Sequence, residues 1–523
     1  MALAALEADA APAAIPRVRY RQLGGASAGL GTLAAVLAAT GSWIPSLWGD
    51  EATSVMSATR PLVSLLGMLT RVDAVHGLYY TVLHGWIEVF GSSPFSVRLP
   101  SAIGVGICAA AVVWPCGRVV GLRTAVLAGV FAAVLPRLTY AGEEARSYAF
   151  DAALAAILCA IVVEIMLRRP TGKGWWIAYG AVLAVGTYSY LYLGLMALPA
   201  GVAMWTDPAM RVMRRRWLRA TLAGLACATP LYVLAVLQRH QIAYLEKADA
   251  VTPASVFVQT WFSDGMFAAV AWTLIAVAGL AFAADALRAG GRGRFRDASV
   301  VHLEPLLLAW LILPMGVLIA VNVLIADFTS RYGTFAAPAA ALLMALGVRR
   351  IARATRSHTG GLLAAVVLTA VVVIAAAPVW ASQRTPYAKN GSDWNEIADV
   401  ISGDARPGDG IVFDAAARPS RQPRLAMDTE PAAFRSTRDL LLRKPYVRAA
   451  YWWDETYSIP QAAAHGRFIG VARIWLVEYT DSRTPDSWGL TSLTRLGYHP
   501  QRRIDEHRSR IWLLTRSRLP SAG

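Results

Sequence analysis

Asp50 and Glu51 stand side by side directly after the first long apolar stretch, residues 24–45, with Trp43 and Trp48 beside them. Carboxylates held at a membrane surface can do acid–base chemistry or hold an ion. In a helical turn neighbouring side chains diverge by about 100°, so the two would not share one proton. Three further charged segments occupy comparable places. They are Arg71 to His76 leading into Gly77-Leu78-Tyr79-Tyr80, then Glu143-Glu144-Ala145-Arg146-Ser147-Tyr148, and Arg331-Tyr332. Taken singly, acids and arginines at span ends are usually solvated surface, and His76 is more often a satisfied interfacial histidine than a ligand. The tyrosines at 79, 80, 140, 148 and 332 read mainly as interface anchors. What lifts the group above that reading is where the topology puts it.

The chain has 523 residues, 56% of them hydrophobic and only 16% charged, with a mean hydropathy of +0.44. Apolar stretches of about 20 residues recur, each long enough for a hydrocarbon core of roughly 30 Å. The fold class is therefore an α-helical polytopic membrane protein. The net charge of +16 resides in arginines clustered in short loops, the pattern of a topology signal, and it excludes a nucleic-acid-binding face. Cys108, Cys116, Cys159 and Cys227 lie within apolar segments, so neither a disulfide framework nor a thiolate metal site is readable. Residues 1–16 are Ala-rich and include Glu7 and Asp9, unlike a secretory signal, and the first apolar segment is expected to stay as an anchor.

Arg17, Arg19 and Arg21 place a cytoplasmic N-terminal tail at 1–23 and put Asp50–Glu51 outside. The later basic clusters lie at Arg118/Arg123, Arg168/Arg169/Lys173, 211–219, 288–296 and 349–356. All fall inside only if residues 77–91 do not cross. That segment is short and amphipathic and carries His84 and Glu88, so it reads as a helix lying in the bilayer surface. Spans are then predicted near 24–45, 97–117, 124–141, 148–167, 174–190, 192–206, 217–237, 264–287, 303–325, 334–348 and 361–380, about eleven in all. The membrane domain covers 24–381, with a first external loop at 46–96 holding juxtamembrane helices. All four charged segments land on one external face.

An odd number of spans places residues 382–523 outside as a soluble α/β domain. A helix is predicted at 394–400 and strands at 411–413, 473–478 and 510–515. Trp394, Tyr451, Trp452 and Trp453 could stack on sugars or fill a core.

In order and spacing these elements resemble the GT-C class of polytopic glycosyltransferases, specifically the GT39-like group of protein O-mannosyltransferases and aminoarabinose transferases. The resemblance rests on Asp50-Glu51-Ala52, His76-Gly77-Leu78-Tyr79-Tyr80, the stretch from Phe90 to Ser101, Glu144-Ala145-Arg146-Ser147-Tyr148 and Arg331-Tyr332. Gly77 stands where a proline is usual, and Arg137 where an apolar residue is common. The resemblance implies transfer of a sugar from a polyprenyl-phosphate carrier to a hydroxyl of a lipid, glycan or protein acceptor, with inversion. It implies Asp50 as general base with Glu51 supporting the site or binding acceptor, and Arg146, Arg331 and His76 at the donor phosphate. Glu143 and Glu144 would orient Arg146 or, with Asp50, hold a divalent cation such as magnesium or manganese. Tyr79, Tyr80, Tyr148 and Tyr332 would line the pocket. The Arg-heavy, Lys-poor composition suggests a GC-rich bacterium, and hence the plasma membrane. The competing class is a flippase or transporter for a lipid-linked sugar. That class usually carries ionisable residues near mid-membrane and paired repeats, and no internal repeat is readable here.

Overall fold

The structure is a computed structural model that describes residues 20–241, 251–288, 301–323, 328–355, 357–480 and 489–516. Arg17, Arg19, Arg292 to Arg296 and Arg356, which carry part of the topology reading, lie outside the described residues.

The first span, α1 (Tyr20–Ala39), leads into three short helices: α2 (Gly49–Ala58), α3 (Leu62–Leu69) and α4 (Gly77–Phe90). The bundle continues with α5 (Pro94–Val119), α6 (Leu122–Val134), α7 (Pro136–Gly142), α8 (Tyr148–Arg168), α9 (Gly174–Ser189) and α10 (Ala197–Thr206). It is completed by α11 (Arg214–Cys227), α12 (Thr229–Leu237), α13 (Gly265–Arg288), α14 (Glu304–Asn322), α15 (Ala337–Ala354) and α16 (His358–Ser382). Among the described residues seven helices are long and apolar enough to cross a membrane, or up to nine if each of two bent pairs is one span. The segments around α9 and Leu191–Thr206 are shorter, so a helix stands at every predicted span.

One bend, 57° between α6 and α7, has a local cause. Leu135 precedes Pro136 and takes an extended conformation, because the proline ring disfavours the helical region for its predecessor. The break turns α7 so that Glu143 lies at the end of the bundle that carries Asp50 and the tail. Elsewhere small residues let backbones meet. A methyl on Gly31 of α1 would sit 2.8 Å from the Gly106 carbonyl oxygen of α5, and one on Gly106 2.7 Å from that of Gly31. Such contacts replace a hydrophobic driving force that lipid does not supply.

The first loop carries short helices, as expected. With 14 residues, α4 spans only about 21 Å, too short to cross. It buries Tyr79, Tyr80 and Leu83 but exposes Val82, Val89 and Phe90, while α3 exposes Leu62, Val63 and Leu66. An exposed apolar face on a helix beside the membrane suits the interface.

The tail comprises α17 (Trp394–Asp404), α18 (Arg424–Thr429), α19 (Ile459–Ala464) and α20 (Leu490–Arg495) around a five-stranded sheet. The strands are β1 (Asp409–Phe413), β2 (Thr437–Asp439), β5 (Arg473–Tyr479), β6 (Tyr498–Asp505) and β7 (Ser509–Arg516), with β3 (Leu442–Lys444) and β4 (Glu455–Thr456) forming a separate pair. The sheet order is β2-β1-β5-β7-β6, parallel across β2-β1-β5 and antiparallel across β5-β7-β6. The tail does not stand apart. Leu47, Val55, Met56, Tyr79 and Tyr80 share one buried core with Trp394, Ile397, Phe413, Leu425 and Trp475. The α/β domain is thus seated on the loop that carries Asp50, on the same side of the membrane.

Candidate active site

Asp50 and Glu51 occupy the first turn of α2 and point to different fates. Asp50 forms an ion pair with Arg331, and about a fifth of each side chain remains exposed, 21% for Asp50 and 23% for Arg331. Burial works against its charged form. The positive charges of Arg331 and Arg146 outweigh that, and the carboxyl is held below its ordinary range. Asp50 is therefore an ionised, reachable carboxylate. The Arg331 guanidinium also lies over the Trp48 ring, 5.6 Å from its centroid.

Glu51 is sealed. Arg98 of α5 grips it in a fork, Nε to Oε1 at 2.7 Å and Nη2 to Oε2 at 2.6 Å, with both side chains fully buried. Arg98 also donates to the carbonyls of Ser42 (2.6 Å), Pro45 (2.8 Å) and Ser46 (3.2 Å), so all five of its N–H groups are used. Glu51 Oε1 accepts in addition from the Ala145 backbone N–H at 2.9 Å. One buried pair thus binds the end of the first span, α2, α5 and the loop preceding α8. Its geometry supports the site by fixing the backbone next to Arg146.

Arg146 itself donates to His76 Nε2 (2.9 Å), to the Tyr80 hydroxyl (3.3 Å) and to Ser54 Oγ (3.5 Å). A guanidinium cannot accept, so His76 Nε2 is the acceptor and the ring is neutral. Burial and the adjacent Arg146 charge hold its pKa well below the ordinary histidine value. His76 therefore aims Arg146 and is not a cation. The segment before it is pinned from α12's side. The Asp73 N–H donates to Gln241 Oε1 (2.9 Å) and the Ala74 N–H to Gln238 Oε1 (3.0 Å), with Asp73 in the left-handed region at φ 61°.

Glu143 is buried against two cations from the start of the tail, Lys389 Nζ at 3.3 Å and Arg384 Nη1 at 3.4 Å. Lys389 also lies 3.5 Å from the Tyr140 ring centroid. Glu144 is 1% exposed, its Oε1 has no hydrogen-bond partner, and burial pushes its carboxyl up. Among the described residues no group of three or more His, Cys, Asp or Glu side chains converges as a metal site. Asp50 faces Arg331, and Glu143 faces Lys389 and Arg384.

Aromatic rings wall the remaining side. Tyr148 lies 6.2 Å from Tyr190, and Tyr190 lies 5.8 Å and Tyr192 5.6 Å from Tyr332, between ring centroids. Tyr79 and Tyr80 are buried at the base of α4. Arg137 is paired rather than free, donating to the Gln259 carbonyl. The four charged segments thus meet at one place. Sequence reasoning did not single out Arg98, Arg384 or Lys389 as site residues, and it named Asp73 only within the Arg71 to His76 segment and Trp452 only as a sugar-stacking or core residue. Arg98 had a signal, being a charge at the head of an apolar span; Lys389, in a turn-rich stretch, had none.

The tail approaches the site through backbone. A methyl on Gly49, one residue before Asp50, would lie 2.4 Å from the Ser420 carbonyl oxygen. Only glycine allows that contact.

Residues 78–236 match the family model described as dolichyl-phosphate-mannose-protein mannosyltransferase. That stretch carries Arg98, Glu143, Glu144 and Arg146 but neither Asp50 nor Arg331. The crystal structure of ArnT from Cupriavidus metallidurans bound to undecaprenyl phosphate aligns at 14% identity, over 92% of this chain and 97% of that one, with a TM-score of 0.53. The apo form of the same protein aligns at 13% identity over the same shares, 92% and 97%, with a TM-score of 0.51. The oligosaccharyltransferase AglB from Archaeoglobus fulgidus, in complex with an inhibitory peptide and a dolichol-phosphate, aligns at 9% identity over 95% of this chain and 75% of that one, with a TM-score of 0.48. No curated protein sequence matches the chain. The chain thus shares its overall fold with ArnT, and residues 78–236 are similar to the dolichyl-phosphate-mannose-protein mannosyltransferase family.

Proposed function

We propose that the protein transfers a sugar from a polyprenyl-phosphate carrier to an acceptor hydroxyl, with inversion, at the outer face of a bacterial plasma membrane. The observation that carries this reading is an ionised, partly exposed Asp50 paired with Arg331, with Arg146 acting on the same carboxylate. The acceptor oxygen attacks the anomeric carbon while its proton passes to Asp50. The bond from that carbon to the phosphate oxygen breaks, and the phosphate leaves with the electron pair. Arg146 and Arg331 face the negative charge that gathers there. His76 aims Arg146, Glu51 braces the backbone, and the tyrosine wall holds the sugar. The undecaprenyl phosphate bound by ArnT supports a polyprenyl donor.

The reading is tested by giving the purified protein a radiolabelled polyprenyl-phospho-sugar and crude envelope acceptor. Label passing to the acceptor supports transfer. Movement of intact carrier between leaflets, without product, would support the flippase instead.

Two further outcomes follow from the Asp50–Arg331 pair. A carboxyl whose pKa is lowered stays ionised, and available as base, until the pH falls through that lowered value. Transfer should therefore persist through the ordinary carboxylate range on the acidic side. In Arg331→Ala burial is no longer offset by that cation, so the acidic limb of the pH–rate profile should move upward. The same variant should bind donor about ten- to hundredfold more weakly, the scale of a lost charge-assisted contact. An unmoved limb and unchanged donor dependence would remove Arg331 from both roles.

A further inference from the structure

Trp452 belongs to the tail domain, yet its indole N–H donates to Asp73 Oδ2 in the first external loop at 3.1 Å. The Tyr80 hydroxyl donates to the same oxygen, and Arg146 donates to the Tyr80 hydroxyl at 3.3 Å. A hydrogen-bonded path thus runs from the tail, through Asp73 and Tyr80, to one guanidinium of the site. Its two ends are 306 residues apart by number, 452 against 146.

The segment bearing Trp452 is clamped rather than draped. Arg60, fully buried at the end of α2, donates to the carbonyls of Ala449 (3.0 Å), Tyr451 and Trp452 (3.4 Å). Ser64 donates to the Val447 carbonyl at 2.6 Å, and Thr59 and Tyr446 hydroxyls bond at 3.0 Å. Within the tail, Asp454 accepts from the Tyr446 N–H at 2.5 Å and from Arg424 at 3.2 Å. On the other side Asp73 is held in a left-handed conformation, which is uncommon for residues other than glycine and persists where its surroundings over-determine it. Two independently braced segments therefore meet at a single carboxylate oxygen. Burial pushes the Asp73 carboxyl up, so donors on that oxygen matter to its placement.

We infer that Trp452 is a positioning residue for the phosphate end of the donor. It holds Asp73 on Tyr80, Tyr80 fixes the Arg146 guanidinium, and the tail domain thereby forms part of the donor site. The inference rests on the reading that Arg146 meets the carrier phosphate.

The test uses the full-length protein in lipid nanodiscs with undecaprenyl phosphate as the probe. Trp452→Phe keeps an aromatic ring and removes the N–H together with part of the indole. It should weaken binding of the probe about five- to tenfold, the scale of one buried hydrogen bond. Its unfolding temperature should stay within about 2 °C of the parent, which a merely structural role would not allow alongside weakened binding. In an Arg146→Ala background the same change should have no further effect, because both act through one group. Tyr80→Phe, which removes the middle of the path, should reproduce the loss and should not add to it. Unchanged binding in Trp452→Phe and Tyr80→Phe, or full additivity with Arg146→Ala, would overturn the inference. If Arg146→Ala alone leaves probe binding intact, the reading of Arg146 falls too; if only Arg146→Ala weakens binding, that reading survives and the role of Trp452 does not.

Discussion

Asp50→Asn is expected to lower transfer by about 10²- to 10⁴-fold, the contribution typical of a positioned general base. The change keeps size and removes the acceptor of the proton. It should leave insertion and binding of carrier lipid close to normal, because the hydrogen bonds of Arg146 to His76, Tyr80 and Ser54 do not involve Asp50. Arg331 loses its carboxylate in this variant, so carrier phosphate could bind slightly tighter while turnover collapses. Single-turnover rates measured beside carrier affinity separate the two. Turnover within a few-fold of the parent would remove Asp50 from the chemistry.

Glu51→Ala is expected to act through stability. It leaves Arg98 charged and fully buried with two of its five N–H groups unpaired. Breaking a buried pair by removing one partner costs about 3–5 kcal/mol, because the remaining charge is uncompensated. The Ala145 N–H also loses its acceptor. Denaturant unfolding in detergent should show the loss, and the surviving folded fraction should still bind carrier poorly, since the backbone beside Arg146 has lost its tether. Replacing both partners, as in Glu51→Met with Arg98→Leu, should recover much of the stability, because no buried charge remains. An unchanged unfolding midpoint in Glu51→Ala would show that the pair is not the brace described.

The two neighbours therefore divide the work. A membrane made the site's location legible, since charge is confined to the ends of apolar spans and arginines mark the inner face. That logic puts Asp50, Arg146 and Arg331 on one face from the sequence alone. It could not tell Asp50 from Glu51 by environment, because that difference rests on Arg98, 47 positions from Glu51. In the tail the predicted strands at 411–413, 473–478 and 510–515 coincide with β1, β5 and β7, each of which carries buried apolar residues. Strand β6 left no apolar pattern, because it is an edge strand exposed along most of its length and carries Pro500 at a register shift. Lys389 and Arg384 were unreadable as partners of Glu143 for a simpler reason. Their pairing joins residues 241 and 246 positions apart in the chain, and no periodicity reports such contacts.

That last pairing bears on how the molecule is made. Glu143 emerges early in synthesis, at the end of α7, whereas its counter-charges Arg384 and Lys389 follow α16, the last span. Until α16 and the residues after it are made, Glu143 has neither cation beside it. Asp50 likewise waits for Arg331. The charged centre is thus complete only once α16 and the residues that follow it are in place.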